Sequence, residues 1–247
     1  MMTYTSYEDE IKLKLAVWER ELMKRPGMLQ NISQSVQTKI NQILPEKAHQ
    51  TITTAVKGVV HTALFTAEYT PKNAPSSGDS LKDCDDKAEQ VRSFYKKLAA
   101  AEGAGTGAGG IMLALADFPL LIGIKMKFLF ELAHVYGYST KDIRERLFIL
   151  YVFQLAFSSL DKKRELLPKL KNWEAIASTI PKDERFQQQV NWRELQQEYR
   201  DTIDFRKMLQ LIPGIGAIIG AWANYDLLDD LGEAGINAYR LRRLTEL

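Results

Sequence analysis

The stretch Gly103–Tyr138, GAGTGAGGIMLALADFPLLIGIKMKFLFELAHVYGY, decides the fold. From Ala104 to Ile124 its only ionisable side chain is Asp117, and small residues recur at helical spacing, Gly103 with Gly107 and Gly105 with Gly109. In a helix this spacing lines the small residues along one side, where a second helix backbone can approach closely. Pro119 has no N–H to donate and is expected to break the run into two helical segments, roughly 109–117 and 119–136, with Gly137 as the carboxy-terminal cap. Asp117, just before Phe118-Pro119, is then placed to cap the second segment through its side-chain oxygen. A shorter echo, IPGIGAIIGAWAN at Ile212–Asn224, aligns without gaps, setting Gly107, Gly109, Ala116 and Asp117 opposite Gly214, Gly216, Ala223 and Asn224. The expectation is a pair of central apolar helices packed through glycine faces, Gly105, Gly107 and Gly109 against Gly214, Gly216 and Gly220.

Toward the amino terminus, Tyr7, Ile11, Leu15, Trp18 and Leu22 repeat at three- and four-residue steps, which predicts a one-sided helix ended by Pro26-Gly27. Met28, Ile32, Val36, Ile40 and Ile43 predict a second helix, and Pro45 opens a third carrying Ile52, Val56, Val59, Ala63 and Leu64. The run Thr70–Ser80, TPKNAPSSGDS, lacks apolar anchors and reads as a mobile surface loop. Cys84, Ala88, Val91, Tyr95 and Leu98 then form a stripe leading into the glycine-rich turn. Beyond it, Ser139 or Thr140 is expected to cap a helix with Ile143, Leu147, Leu150, Tyr151 and Gln154 on its apolar face. Shorter helices interrupted by Pro168 and Pro181 follow, then a helix capped by Asn191, and a final helix ending in the basic RLRRL. No run alternates like a strand, so the fold class is all-α: a single bundle spanning 1–247.

With 247 residues, 45% hydrophobic and 26% charged, the chain can bury a full core as one domain. A mean hydropathy of -0.25 argues against a multi-span membrane protein. The net charge of +2 gives no general attraction to nucleic acid, which is not expected as a partner. The single cysteine, Cys84, excludes an internal disulfide and a cysteine zinc site. The region before Trp18 is acidic and amphipathic, unlike a secretory signal, so a cytoplasmic location is expected.

Three motifs carry potential chemistry. Gly105–Gly110 spells G-x-G-x-x-G, with Glu131 about 20 residues on, as a dinucleotide fingerprint asks. That fingerprint needs a strand before it and a parallel strand after it, whereas an amphipathic helix precedes it here, so no cofactor is expected. Two Glu-x-x-His pairs, Glu46 with His49 and Glu131 with His134, resemble half of a di-metal helical site, to which Asp117 and Glu102 would add carboxylates. Glu131, His134 and Asp117 are the metal candidates, against a plain hydrogen-bonded pair and a helix cap. Finally, Lys162–Lys171, KKRELLPKLK, mixes basic residues with leucines as an interfacial helix would, giving Lys162, Lys163, Arg164, Lys169 and Lys171 as candidate membrane contacts. The bland alternative is an ordinary amphipathic helix with a solvated basic face.

Taken together in order, GAGTGAGG, LADFP, the apolar helix ending in YGY, the opening DIRERLFIL and the late IPGIGAIIGAWAN resemble the EcsC family. The resemblance runs from Trp18 through the last helix and is firmest over Gly103–Leu150 and Ile212–Asn224. It implies a bacterial protein of a largely uncharacterised family, named for a gene beside those of the Ecs ABC transporter, and therefore a membrane-linked role in secretion. It transfers no catalytic residue. The reading that follows is a non-enzymatic accessory or binding protein at the inner face of the cell membrane, its partner the membrane surface or a membrane protein such as that ABC transporter. The alternative is a helical enzyme, or a protein binding a lipid or small apolar ligand, with a carboxylate-lined cavity.

Overall fold

The computed structural model describes residues 6–24, 54, 58–59, 61–107, 110–158, 160–181 and 217–246, with side chains described except at 24, 103–107, 110–118, 121 and 217–224. Seven helices of seven residues or more lie in this set: α1 Tyr7–Lys24, α2 Leu81–Gly107, α3 Gly110–Val135, α4 Ile143–Phe157, α5 Leu160–Lys171, α6 Trp173–Thr179 and α7 Ala217–Thr245. Among the described residues there is no β-strand, and the fold is all-α as expected.

Local chemistry sets the helix ends. Ser80 and Asp83 form a reciprocal capping box at the start of α2: the Asp83 N–H donates to Ser80 Oγ at 3.1 Å and the Ser80 N–H to Asp83 Oδ2 at 3.3 Å. At the end of α3, Gly137 has φ +93°. The Tyr138 N–H reaches the Ala133 carbonyl and the Gly137 N–H the His134 carbonyl, which completes a Schellman motif at the cap predicted from sequence. The next cap differs from expectation. Asp142, not Ser139 or Thr140, caps α4 by accepting from the Arg144 N–H at 2.9 Å, because Thr140 is drawn away to His134.

Two prolines fail to break their helices. Pro119 lies inside the continuous α3 and Pro168 inside the continuous α5. Each removes one main-chain hydrogen bond, a loss that tertiary packing on the rest of the helix outweighs. Asp117 therefore sits in the interior of α3 and does not start a new helix. The predicted helices between Met28 and Val56, the ending at Pro26-Gly27 and the helix after Asn191 lie outside the described residues, although residues 61–65 are helical and Val59, Ala63 and Leu64 are buried.

The core is built on α2. Asp85 bonds both Tyr136 of α3 and Arg240 of α7, while Tyr95 bonds Glu131 and Lys96 bonds Asp229, so α2 runs antiparallel to both neighbours. Consequently α3 and α7 run parallel to each other, with Tyr136 stacked on Tyr239 at 5.4 Å. Gly235 of α7 lets them close up: a Cβ there would stand 2.7 Å from Leu132 Cδ2 and 3.2 Å from Leu129 Cδ2. Helix α4 crosses the same region and is buried on nearly every side from Leu147 to Phe157. The stripe of α1 is buried as predicted. That of α2 is buried through Tyr95 but continues to Ala99, one residue past the expected Leu98, which faces out.

The run Thr70–Ser80 is non-helical as expected, yet polar anchors hold it. The Ser76 N–H donates to the His134 carbonyl at 2.8 Å, Asp79 pairs with Lys87 at 2.6 Å, and Arg243 donates to the Asp79 carbonyl at 2.9 Å.

Candidate functional site

The two halves of the bundle have opposite chemistry. In the first, Asp85 of α2 is 3% exposed and accepts from Tyr7 at 2.6 Å, from Tyr136, and from Arg240 Nε at 3.1 and 3.0 Å. Four helices, α1, α2, α3 and α7, thus meet on one carboxylate. Burial, and then the facing carboxylate, push both tyrosine hydroxyls well above the ordinary phenol value, so neither is a proton donor near neutrality. One layer further, buried Arg242 bonds Glu145 at 2.8 Å and Glu174 at 2.7 Å and lies over the rings of Tyr138 and Phe148 at 3.9 and 4.6 Å. Burial raises the Glu145 carboxyl, and Arg242 partly offsets it. The basic tail RLRRL is therefore a set of internal ties rather than a free patch. Beside Asp85, a groove of about 460 Å³ opens between α1, α2 and α7, lined by Leu13, Trp18, Arg92, Glu233, Asn237 and Arg240 among others.

Large apolar side chains face outward in two places: on α1 beside the groove, Leu13 at 67% and Val17 at 47% exposed, and in the other half of the bundle a set of four, Phe94 at 61%, Leu98 at 39%, Leu120 at 53% and Tyr225 at 39%. Each of the four lies nine or more residues along its helix from the level of Asp85, Tyr136 and Arg240, roughly 13 Å or more. In this half α2 runs into the GAGTG sequence and α3 and α7 begin in their apolar runs. Lys125 of α3 is 1% exposed here, and no described group bonds its Nζ. Burial alone lowers its ammonium to about 8.

His134 is held on both ring nitrogens: Nδ1 meets the Asn73 carbonyl at 3.0 Å, so it carries the proton, and Nε2 accepts from the Thr140 hydroxyl at 2.9 Å. Burial holds this imidazole below the ordinary histidine value. Glu131 accepts from Tyr95 at 2.9 Å. The two do not share a site, and among the described residues no group of three or more His, Cys, Asp or Glu side chains is placed to hold a metal. The side chain of Asp117, and Glu46 with His49, lie outside the described residues, as does the proposed glycine pairing: Gly109, Gly214 and Gly216 are not described, while Gly105, Gly107 and Gly220 are described only as helical backbone.

Helix α5 departs from the interfacial reading. Leu166, Leu167 and Leu170, the face that would enter a bilayer, are buried in the core, as is Lys163. Lys162 pairs with Glu165 at 2.8 Å, Arg164 with Asp161 at 3.3 Å and Lys171 with Glu19 of α1 at 2.9 Å, while Lys169 lies 5.7 Å from the Tyr151 ring. Sequence reasoning missed the Asp85 hub and Lys125 alike. Asp85 sits in the charged run KDCDDK, and its single available signal is that it borders the stripe residues Cys84 and Ala88.

Among the described residues no helix is long and apolar enough to cross a membrane. No solved structure matches the chain. Protein EcsC of Bacillus subtilis (strain 168) is 44% identical over 229 residues, covering 93% of each chain. The uncharacterized protein YdbA of the same organism is 34% identical over 168 residues, which is 66% of this chain and 58% of that protein. The EcsC protein family profile matches residues 9–244, from α1 into the last turn of α7. With the family pattern spanning the whole bundle, hub and apolar half together, the chain belongs to the EcsC protein family.

Proposed function

We propose that the protein is a non-enzymatic accessory protein that works at the cytoplasmic face of the cell membrane, docking through the half of the bundle that carries Phe94, Leu98, Leu120 and Tyr225. The observation behind this reading is that four of the six large apolar side chains exposed among the described residues lie toward the end where α3 and α7 begin in apolar sequence. Scattered exposed apolar residues are ordinary, but a concentration at one end marks a contact surface. Contact, not crossing, fits a chain in which no described helix is a candidate span. By the family resemblance, the membrane protein it serves is an ABC transporter. The docking surface proposed is this half and not α5, whose leucines are already buried.

Flotation with phospholipid vesicles tests the reading. The intact chain is expected to float with vesicles, and the Phe94→Asp, Leu98→Asp, Leu120→Asp triple variant to stay behind with an unchanged helical signal. A parent chain that ignores vesicles, or a triple variant that floats equally well, sinks it.

A further inference from the structure

We infer that Lys125 is a binding residue for the phosphate of an anionic lipid, reached when the half of the bundle carrying Leu120 and Tyr225 loosens against a bilayer. The inference rests on the membrane-surface reading and adds to it a ligand and a residue.

Asp85, Glu145, Arg240 and Arg242 are all buried or nearly so, and each has an opposite charge within 3.1 Å. Among the described residues Lys125 has none, although its ammonium is as deeply buried as theirs. An uncompensated buried cation is costly, so the closed bundle holds this side chain at a penalty that an anion would relieve.

Its position selects the anion. Lys125 shares a helix face with Leu129 and Leu132, which close on Gly235 of α7, and it lies nearer the apolar end than they do. Before it, α3 presents residues 110–124, about 22 Å of helix at 1.5 Å per residue, with Asp117 the single ionisable residue. After it comes the exposed Lys127. An apolar segment followed at once by lysines is the arrangement that sets basic side chains at the headgroup level when the segment enters a bilayer. The phosphodiester of an anionic lipid, whose charge no choline group offsets, there offers oxygen acceptors to the three donors of Nζ. The closed and open bundles thus differ in what the lysine contacts, which is the difference a ligand needs in order to shift one toward the other.

Flotation with two vesicle types tests this: phosphatidylcholine alone, and phosphatidylcholine mixed with phosphatidylglycerol. The parent chain is expected to favour the mixed vesicles. Lys125→Met is expected to bind them about fivefold more weakly, the worth of one basic side chain at an anionic surface, while matching the parent on phosphatidylcholine alone. Lys125→Arg is expected to keep the preference. Since Lys125→Met removes a buried unpaired charge, its melting temperature is expected not to fall, which separates lost binding from lost fold. If Lys125→Met binds mixed vesicles as the parent does, the inference fails and the membrane reading stands. If the parent floats with neither vesicle type, both fail.

Discussion

The Asp85 half and the Lys125 half of the bundle solve the problem of a buried charge in opposite ways. Around Asp85, three helices each deliver a group to the carboxylate that α2 carries, so its charge acts as a register pin that only one arrangement of α1, α2, α3 and α7 satisfies. Lys125 is just as deeply buried, and among the described residues nothing bonds its ammonium. The lesson is that the first half answers its buried charge with three helices, while the second keeps a buried charge that no described group answers. This is the distribution expected of a molecule that keeps its fold at one end and changes contacts at the other.

Breaking the tied half is expected to give the largest effect. Asp85→Ala strands the Arg240 guanidinium and two tyrosine hydroxyls, and removing one partner of a buried pair costs about 3–5 kcal/mol. Urea unfolding beside the exposed Asp86→Ala reads this out. Equal losses for the two variants would mean that the hub anchors nothing.

The opposite sign is expected at Lys125. The free side chain titrates at 10.5 and the folded one at about 8, so between these values the unfolded chain binds more protons and stability rises with pH. Below pH 8 both states are charged and the whole penalty is present. Lys125→Met is therefore expected to gain up to about 3 kcal/mol at neutral pH and to flatten the rise. The measurement belongs below pH 10, because the raised tyrosines lower stability above it. A variant with the parent's slope between pH 8 and 9.5 would show that the slope has another source.

A smaller loss is expected where α3, α4 and α7 meet. Gly235→Ala puts a methyl group against buried Leu132 and Leu129, an overpacking worth about 1–3 kcal/mol. Thermal unfolding of this variant at parental stability would argue against the tight crossing. The smallest effect belongs to the anchored loop. Gly78 has φ +77° with open space around it, so Gly78→Ala is expected to cost about 1–2 kcal/mol by strain alone. Gly78→Asn is expected to cost less, and a melting curve for each separates strain from packing.

Much of the fold was legible because it is written at short range. The stripe Ile11, Leu15, Trp18, Leu22 is buried along α1, and Gly137 closes α3 with the hydrogen bonds that its position called for. Local rules failed where a distant partner decided the outcome. Thr140 is a good helix cap by type, but His134 takes its hydroxyl and Asp142 takes over the cap. Pro119 is a breaker by type, but the packed turns after it keep α3 whole. Thr70–Ser80 reads as unanchored since, apart from the Asp79–Lys87 pair, its ties are main-chain groups meeting His134 and Arg243, which composition does not reveal. The candidate site was least legible of all. Asp85 finds partners 51, 78 and 155 residues away, and nothing in KDCDDK separates it from its solvated neighbours. Glu131 and His134 carried the more conspicuous spacing, yet the two residues serve unrelated hydrogen bonds, Glu131 to Tyr95 and His134 to Asn73 and Thr140.

The 155-residue separation between Asp85 and Arg240 also governs how the molecule is made. At about 5–20 residues per second, a ribosome delivers Arg240 roughly 8–30 s after Asp85. Through that interval α2 has left the tunnel while the helix that covers it does not yet exist. Hairpins such as α2 with α3 form in far less time, so a nascent intermediate with one uncovered face and an unanswered carboxylate is built into synthesis. The final helix is the keystone, and its arrival turns a partly assembled chain into a cooperative fold.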